Sequence, residues 1–221
     1  MPTAEQLQAG GLYKAIMEEI KLRIDAINSG ITGQLPLIPP FVREFSYLQI
    51  RMVCELVALG CLVAHGDIQA TKTKKLQKEW SAEKIIEQLE TLHPYFFPQP
   101  VHQSVDGNHH HLQGISPPSL TKDEFLRLYN ECGDVLHRGS AKKLLGNTSV
   151  QVDYNSITAL AQKLNDLLQI HIVVMLGGKT MFVCALRIAD DNNNVQVVVA
   201  EWKPPQDFEQ NDLPQERAAK K

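Results

Sequence analysis

The segment Leu120 to Gly139, LTKDEFLRLYNECGDVLHRG, sets Asn130, Asp134, His137 and Arg138 along one flank of a helix. These are the residue types that proton transfer and anion stabilisation use. At about 100° per residue, Asn130 and His137 point nearly the same way, two turns or roughly 10 Å apart, with Gly133 between them on that flank. A histidine exchanges a proton near neutral pH, and Arg138, or Arg51 from elsewhere in the chain, can stabilise charge developing on a phosphoryl centre. Such a site needs no metal. The same residues also fit a structural role, with His137 hydrogen-bonding near a helix C-terminus, where a cation is favoured, and Gly133 admitting a neighbouring helix. A mid-helix glycine costs about 1 kcal/mol relative to alanine, so Gly133 marks a close approach by another backbone or a ligand.

A second set of chemical groups lies between about Phe41 and His65. Phe45, Leu48, Met52, Val53, Leu56, Val57, Leu59 and Val63 cover most of the circumference there, which predicts a buried central helix. Arg43, Tyr47, Arg51 and Glu55 recur every four residues along it as a polar ladder. Buried charge persists only when paired and hydrogen-bonded. The ladder therefore either pairs internally, Arg51 with Glu55 one turn on, or faces His137, Asn130 and Asp134 across a helix contact and builds a polar cleft. His137, Arg138, Asn130 and Arg51 are the candidate catalytic set.

Other chemistries find less support. No Gly-rich phosphate loop, HExxH motif or nucleophile elbow occurs. Cys54, Cys61, Cys132 and Cys184 lie far apart with no Cys-x-x-Cys pair, and Cys132 falls on the apolar face of its helix, where a thiol is a poor nucleophile. His102 and the run His109 to His111 sit in a stretch with no fixed scaffold and no carboxylate placed to support a metal. No metal and no cofactor are expected. Lys72, Lys74, Lys75 and Lys78 read as a solvated basic run, and His171 falls on an apolar stripe as a core residue.

The elements that must position these groups are mostly helical. Tyr13, Ile16, Met17, Ile20, Ile24 and Ile27 make one stripe over about Thr3 to Asn28. Trp80, Ser81 and Ile85 cap and staple a helix from about Ala82 to Leu92, and Thr121 with Glu124 forms a capping box, Leu120 stapling onto Phe125. A further helix is expected from about Ser156 to Met175, although its β-prone end, Ile170 to Met175, also fits a strand. Residues 98–118, rich in Pro, Gly, Asn and His, read as a long mobile loop. Thr180 to Ile188 and Val195 to Trp202 read as a β-hairpin. The fold class is thus mainly α: an antiparallel bundle of four to five helices over residues 1–176, a C-terminal β-hairpin packed on it over 177–203, and a disordered polar tail over 204–221.

Bulk composition narrows the partners. With 221 residues, 43% hydrophobic, the chain can bury one sizeable core. A net charge of -3 excludes coating of nucleic acid through bulk electrostatics, and any RNA or nucleotide contact must be local. The N-terminus has no basic start followed by an apolar run, and the most apolar stretch, Val53 to Ala64, is interrupted by Glu55, so a cytoplasmic protein without a membrane span is expected.

Amphipathic helices around a central rod with a charged ladder, and a capped helix ending Asp134-Val-Leu-His137-Arg138-Gly139, resemble the HEPN (higher eukaryotes and prokaryotes nucleotide-binding) superfamily over roughly Leu12 to Met175. The resemblance implies a helical bundle that dimerises. It implies either a metal-independent ribonuclease or nucleotide-binding protein of a prokaryotic stress, toxin-antitoxin or phage-defence system, or a member that has lost catalysis and serves as an interaction module with a protein partner. The family's catalytic Arg precedes its His by four to six residues. Here nine residues separate Arg127 from His137, and Arg138 directly follows the His, so that pair does not carry over. The departure favours the non-catalytic module.

Overall fold

The computed structural model describes residues 2–66, 76–93, 95–106, 109–137, 152–175 and 180–201. Helix α1, Ala4–Ile31, opens on a capping box between Thr3 and Gln6 and buries Tyr13, Met17, Ile20, Ile24 and Ile27. Helix α2, Pro39–Ala64, starts with two prolines in its first turn, where a missing N–H costs nothing. The two long helices pack against each other. Gly60 permits this, since a Cβ there would lie 3.2 Å from the Tyr13 ring and 3.3 Å from Met17.

Helices α3, Ala82–Leu92, α4, Lys122–Leu136, and α5, Tyr154–Leu168, pack against α2. The core is continuous from α1 through α2 to Phe125, Leu164 and Phe182. The cap expected of Trp80 and Ser81 is replaced: Ser81 makes no side-chain cap, Trp80 is exposed, and the Glu79 carboxylate accepts from both backbone N–H groups instead.

The strands amount to more than an appended hairpin: α1 and α5 pack on a five-stranded antiparallel sheet of order β2-β1-β3-β4-β5. Its strands are β1, Gln99–Asp106, β2, His109–Gly114, β3, Ile170–Val174, β4, Thr180–Ile188, and β5, Asn194–Glu201. The expected hairpin is present as β4 and β5, yet as one edge of this larger sheet, with α1 against both strands. The expected loop over 98–118 carries β1 and β2, paired from Val101 with Gly114 to Asp106 with His109. The helix expected to reach Met175 stops at Leu168, and Ile170 onward pairs with β1 and β4 as the middle strand of the sheet, where β-branched residues pack well on a pleated surface between two neighbours. The tail 204–221, the residues Gly177 and Gly178, and Lys72, Lys74 and Lys75 lie outside the described residues.

Candidate functional site

Arg51 on α2 is the centre of the ladder's polar contacts. Its guanidinium lies 4.2 Å above the ring of Tyr129 on α4, and its Nη2 donates to the Tyr129 hydroxyl at 2.8 Å. Its Nε meets the Glu55 carboxylate at 3.3 Å, and that carboxylate accepts from the Tyr129 hydroxyl at 3.3 Å. The three groups close a ring in which charge, phenol and carboxylate each have partners, as partly buried polar groups require. Burial raises the Tyr129 phenol above its ordinary value, against the lowering effect of Arg51. Gly133, one turn on from Tyr129, is what lets Arg51 in: a Cβ there would sit 3.0 Å from Nη1. The close approach inferred from this glycine is by a side chain of α2.

The rest of the ladder is arranged more simply. Arg43 lies 5.2 Å over the Tyr47 ring, and burial raises the Tyr47 phenol. Internal pairing and contact with α4 thus coexist.

On α4, the Thr121 and Glu124 capping box forms in both directions. Asn130 is exposed and donates to the Glu83 carboxylate of α3 at 3.3 Å. Asp134 is also exposed. The helix ends at Leu136, so that His137 is its C-cap, exposed, with its backbone N–H bonded to Gly133 O. Arg138 and Gly139 lie outside the described residues. The structure therefore joins Arg51 to Tyr129 and Glu55, joins Asn130 to Glu83, and leaves His137 open to solvent.

Three surface clefts, of about 310, 280 and 440 Å³, lie elsewhere, along α3, between α1 and α5, and beside β1 and Pro117, and none is lined by His137, Asn130 or Arg51. Among the described residues no group of three or more His, Cys, Asp or Glu side chains is placed to hold a metal ion. The Cys132 thiol is buried, and burial pushes it up to about 12, so it is not a nucleophile at neutral pH.

Two polar contacts deeper in the molecule escape periodicity. His171, read as a helix-stripe residue, is a β3 residue whose Nε2 accepts from the Tyr13 hydroxyl at 2.7 Å, while its Nδ1 donates to Leu168 O at 2.9 Å. At the far end of β3, Val174 O is approached by Nε2 of both His65, at 3.2 Å, and His93, at 2.8 Å. His65 also turns Nδ1 to Cys61 O at 2.7 Å. The one available signal was helix termination at His65 and His93, since each residue ends its helix and turns its ring back to a backbone carbonyl.

Comparison with family models, curated proteins and solved structures finds no match to this chain.

Proposed function

We propose that this chain is a non-catalytic, HEPN-like interaction module that works as a dimer in the cytoplasm and engages a protein partner, in the setting of a prokaryotic stress or phage-defence system. The carrying observation is the closed ring of Arg51, Tyr129 and Glu55. The arginine best placed to stabilise a phosphoryl charge already has its positive charge neutralised and its planar face stacked. Asn130 is likewise bound to Glu83, and His137 has no side chain of the candidate set bonded to it among the described residues. A general acid or base needs a positioned partner and a neighbouring charge stabiliser, and this constellation supports a structural use of the same groups instead.

The test is RNA cleavage measured beside thermal stability. Wild type is expected to leave structured and single-stranded RNA intact in the presence of EDTA. His137→Ala should melt within about 2 °C of wild type, because the cap contact of this residue is made by its backbone N–H, which alanine keeps, and exposed side-chain substitutions stay within roughly 0.5 kcal/mol. RNA degradation by wild type that is abolished in a stably folded His137→Ala would overturn the reading and establish the metal-independent ribonuclease in its place.

A further inference from the structure

Helix α2 is apolar around most of its circumference, the ladder from Arg43 to Glu55 apart, yet only part of that apolar surface is buried. Its most apolar 18-residue window has a mean hydropathy of 1.6, enough by length and composition for a membrane span, and half of that window is buried. The exposed and half-buried side has a pattern. Positions 41, 45, 48, 52, 55, 59 and 62 follow one another in alternating steps of four and three, and they read Phe, Phe, Leu, Met, Glu, Leu, Leu. That is the seven-residue repeat by which two helices pair side by side. Phe41 is 50% exposed and Leu48 44%, with Ile38 at 58% just before the helix, while Phe45, Met52, Leu59 and Leu62 are half-buried. The single polar position is Glu55, whose carboxylate is turned to Arg51 and Tyr129, leaving its methylenes on the seam.

We propose that this face of α2 pairs antiparallel with the same face of a second copy, as a two-fold homodimer interface. The inference rests on the reading of the chain as a dimeric module, and it names the surface. A two-fold with its axis near Met52 sets the Phe41 and Phe45 end of one helix against the Leu59 and Leu62 end of the other. The seam is self-complementary: bulky aromatics at one end, aliphatics at the other, and no unpaired charge along it. The span from Phe41 to Leu62, at about 1.5 Å rise per residue, gives a seam roughly 30 Å long. Half-exposed large side chains contribute roughly 100 Å² each. Ile38, Phe41 and Leu48 thus give roughly 300 Å², and the half-buried members and helix flanks extend the patch toward the roughly 600 Å² per partner at the low end of specific interfaces. Lipid is the competing occupant, but Arg51 and Glu55, midway along the helix, are fixed to α4 and keep one side of α2 against protein.

The experiment is sedimentation velocity on the full chain at micromolar concentration, with two variants. Wild type should sediment as a dimer, and Leu48→Glu as a folded monomer with its circular dichroism retained. Because all four native cysteines are buried, Met52→Cys introduces the one accessible seam thiol, and a short bismaleimide should convert it to a covalent dimer while leaving wild type unlinked. The cross-link reports even if Leu48→Glu fails to fold. A dimer that Leu48→Glu leaves intact and that Met52→Cys does not cross-link overturns this surface while the dimeric module stands. A monomeric wild type overturns both the surface and the dimer. Co-flotation of wild type with phosphatidylcholine and phosphatidylglycerol vesicles, lost in Leu48→Glu, would give the face to lipid and overturn the proposal.

Discussion

The contact between Arg51 and Tyr129 shows how one phenol decides whether a charged ladder is tolerable inside a helix layer. The hydroxyl both accepts from Nη2 and donates to Glu55, so removing it strands a donor and an acceptor at once. Tyr129→Phe should therefore cost about 1–2 kcal/mol, read as a fall of roughly 2–8 °C in Tm, with the ring still stacked under the guanidinium. A variant as stable as wild type would mean that water replaces the hydroxyl without loss. Gly133 allows a sharper test. Alanine there gains about 1 kcal/mol of helix propensity but meets Nη1 at 3.0 Å, so Arg51 must shift and loosen its ring of contacts. Gly133→Ala should be near neutral alone and stabilising by about 1 kcal/mol in an Arg51→Ala background, a coupling that a double-mutant cycle measures. Equal effects in both backgrounds would remove the steric account. At this scale the glycine's role was legible from its position mid-helix. The partnership with Tyr129 was not, because periodicity places that residue on the core face and says nothing of where its hydroxyl ends.

At the scale of elements, four of the five helices were readable within a few residues because each carries a continuous apolar stripe, as Ala82–Leu92 and Lys122–Leu136 do, the second behind a capping box that forms as read. The remaining one was readable at its start and not at its end. The strands β1 and β3 were harder for opposite reasons. Ile170–Val174 is apolar enough to continue α5, with no Gly or Pro at the junction, so only tertiary pairing with β4 selects the strand. Gln99–Asp106 has the reverse problem: His102, Gln103 and Ser104 are all exposed, so it shows no alternation, and beyond Pro100 it pairs with β2 alone. That topology makes a prediction. Among the described residues the outer part of the β1–β2 hairpin pairs with no third strand, whereas its base, Gln99 and Pro100, is zipped to β3. Replacing residues 103–112 with Asn-Gly should shift Tm by less than about 3 °C, while Val101→Asp, at 4% exposure, should lower it by more than about 5 °C. A large loss from the shortened hairpin would show that its outer half is packed after all.

Over the whole molecule, the seam between the helix layer and the sheet is stitched by histidines, and this sets how the fold answers to acid. His171 on β3 is sealed between Tyr13 of α1 and the end of α5, and burial lowers it to about 4. His93, at the end of α3, bonds Val174 O of β3 with its Nδ1 buried and unpartnered, and burial lowers it to about 4 as well. Both are neutral in the folded chain and titrate near 6.5 when unfolded. Between those values the unfolded chain binds protons that the native one does not, so stability is fully present above about pH 6.5 and is lost as pH falls toward 4. Each shift of this size corresponds to roughly 3 kcal/mol, and the two act at opposite ends of the same strand. Chemical denaturation followed at pH 7.5, 5.5 and 4.5 should show a falling midpoint over this window with little change above it. His171→Gln should start lower at pH 7.5, where it loses the neutral ring's packing, and should lose roughly half of the slope. A wild-type midpoint that stays flat from pH 7.5 to 4.5 would mean that both rings take up their proton in the folded chain as they do when unfolded, and the hydrogen bond from Tyr13 to Nε2 of His171 would have to reverse on protonation.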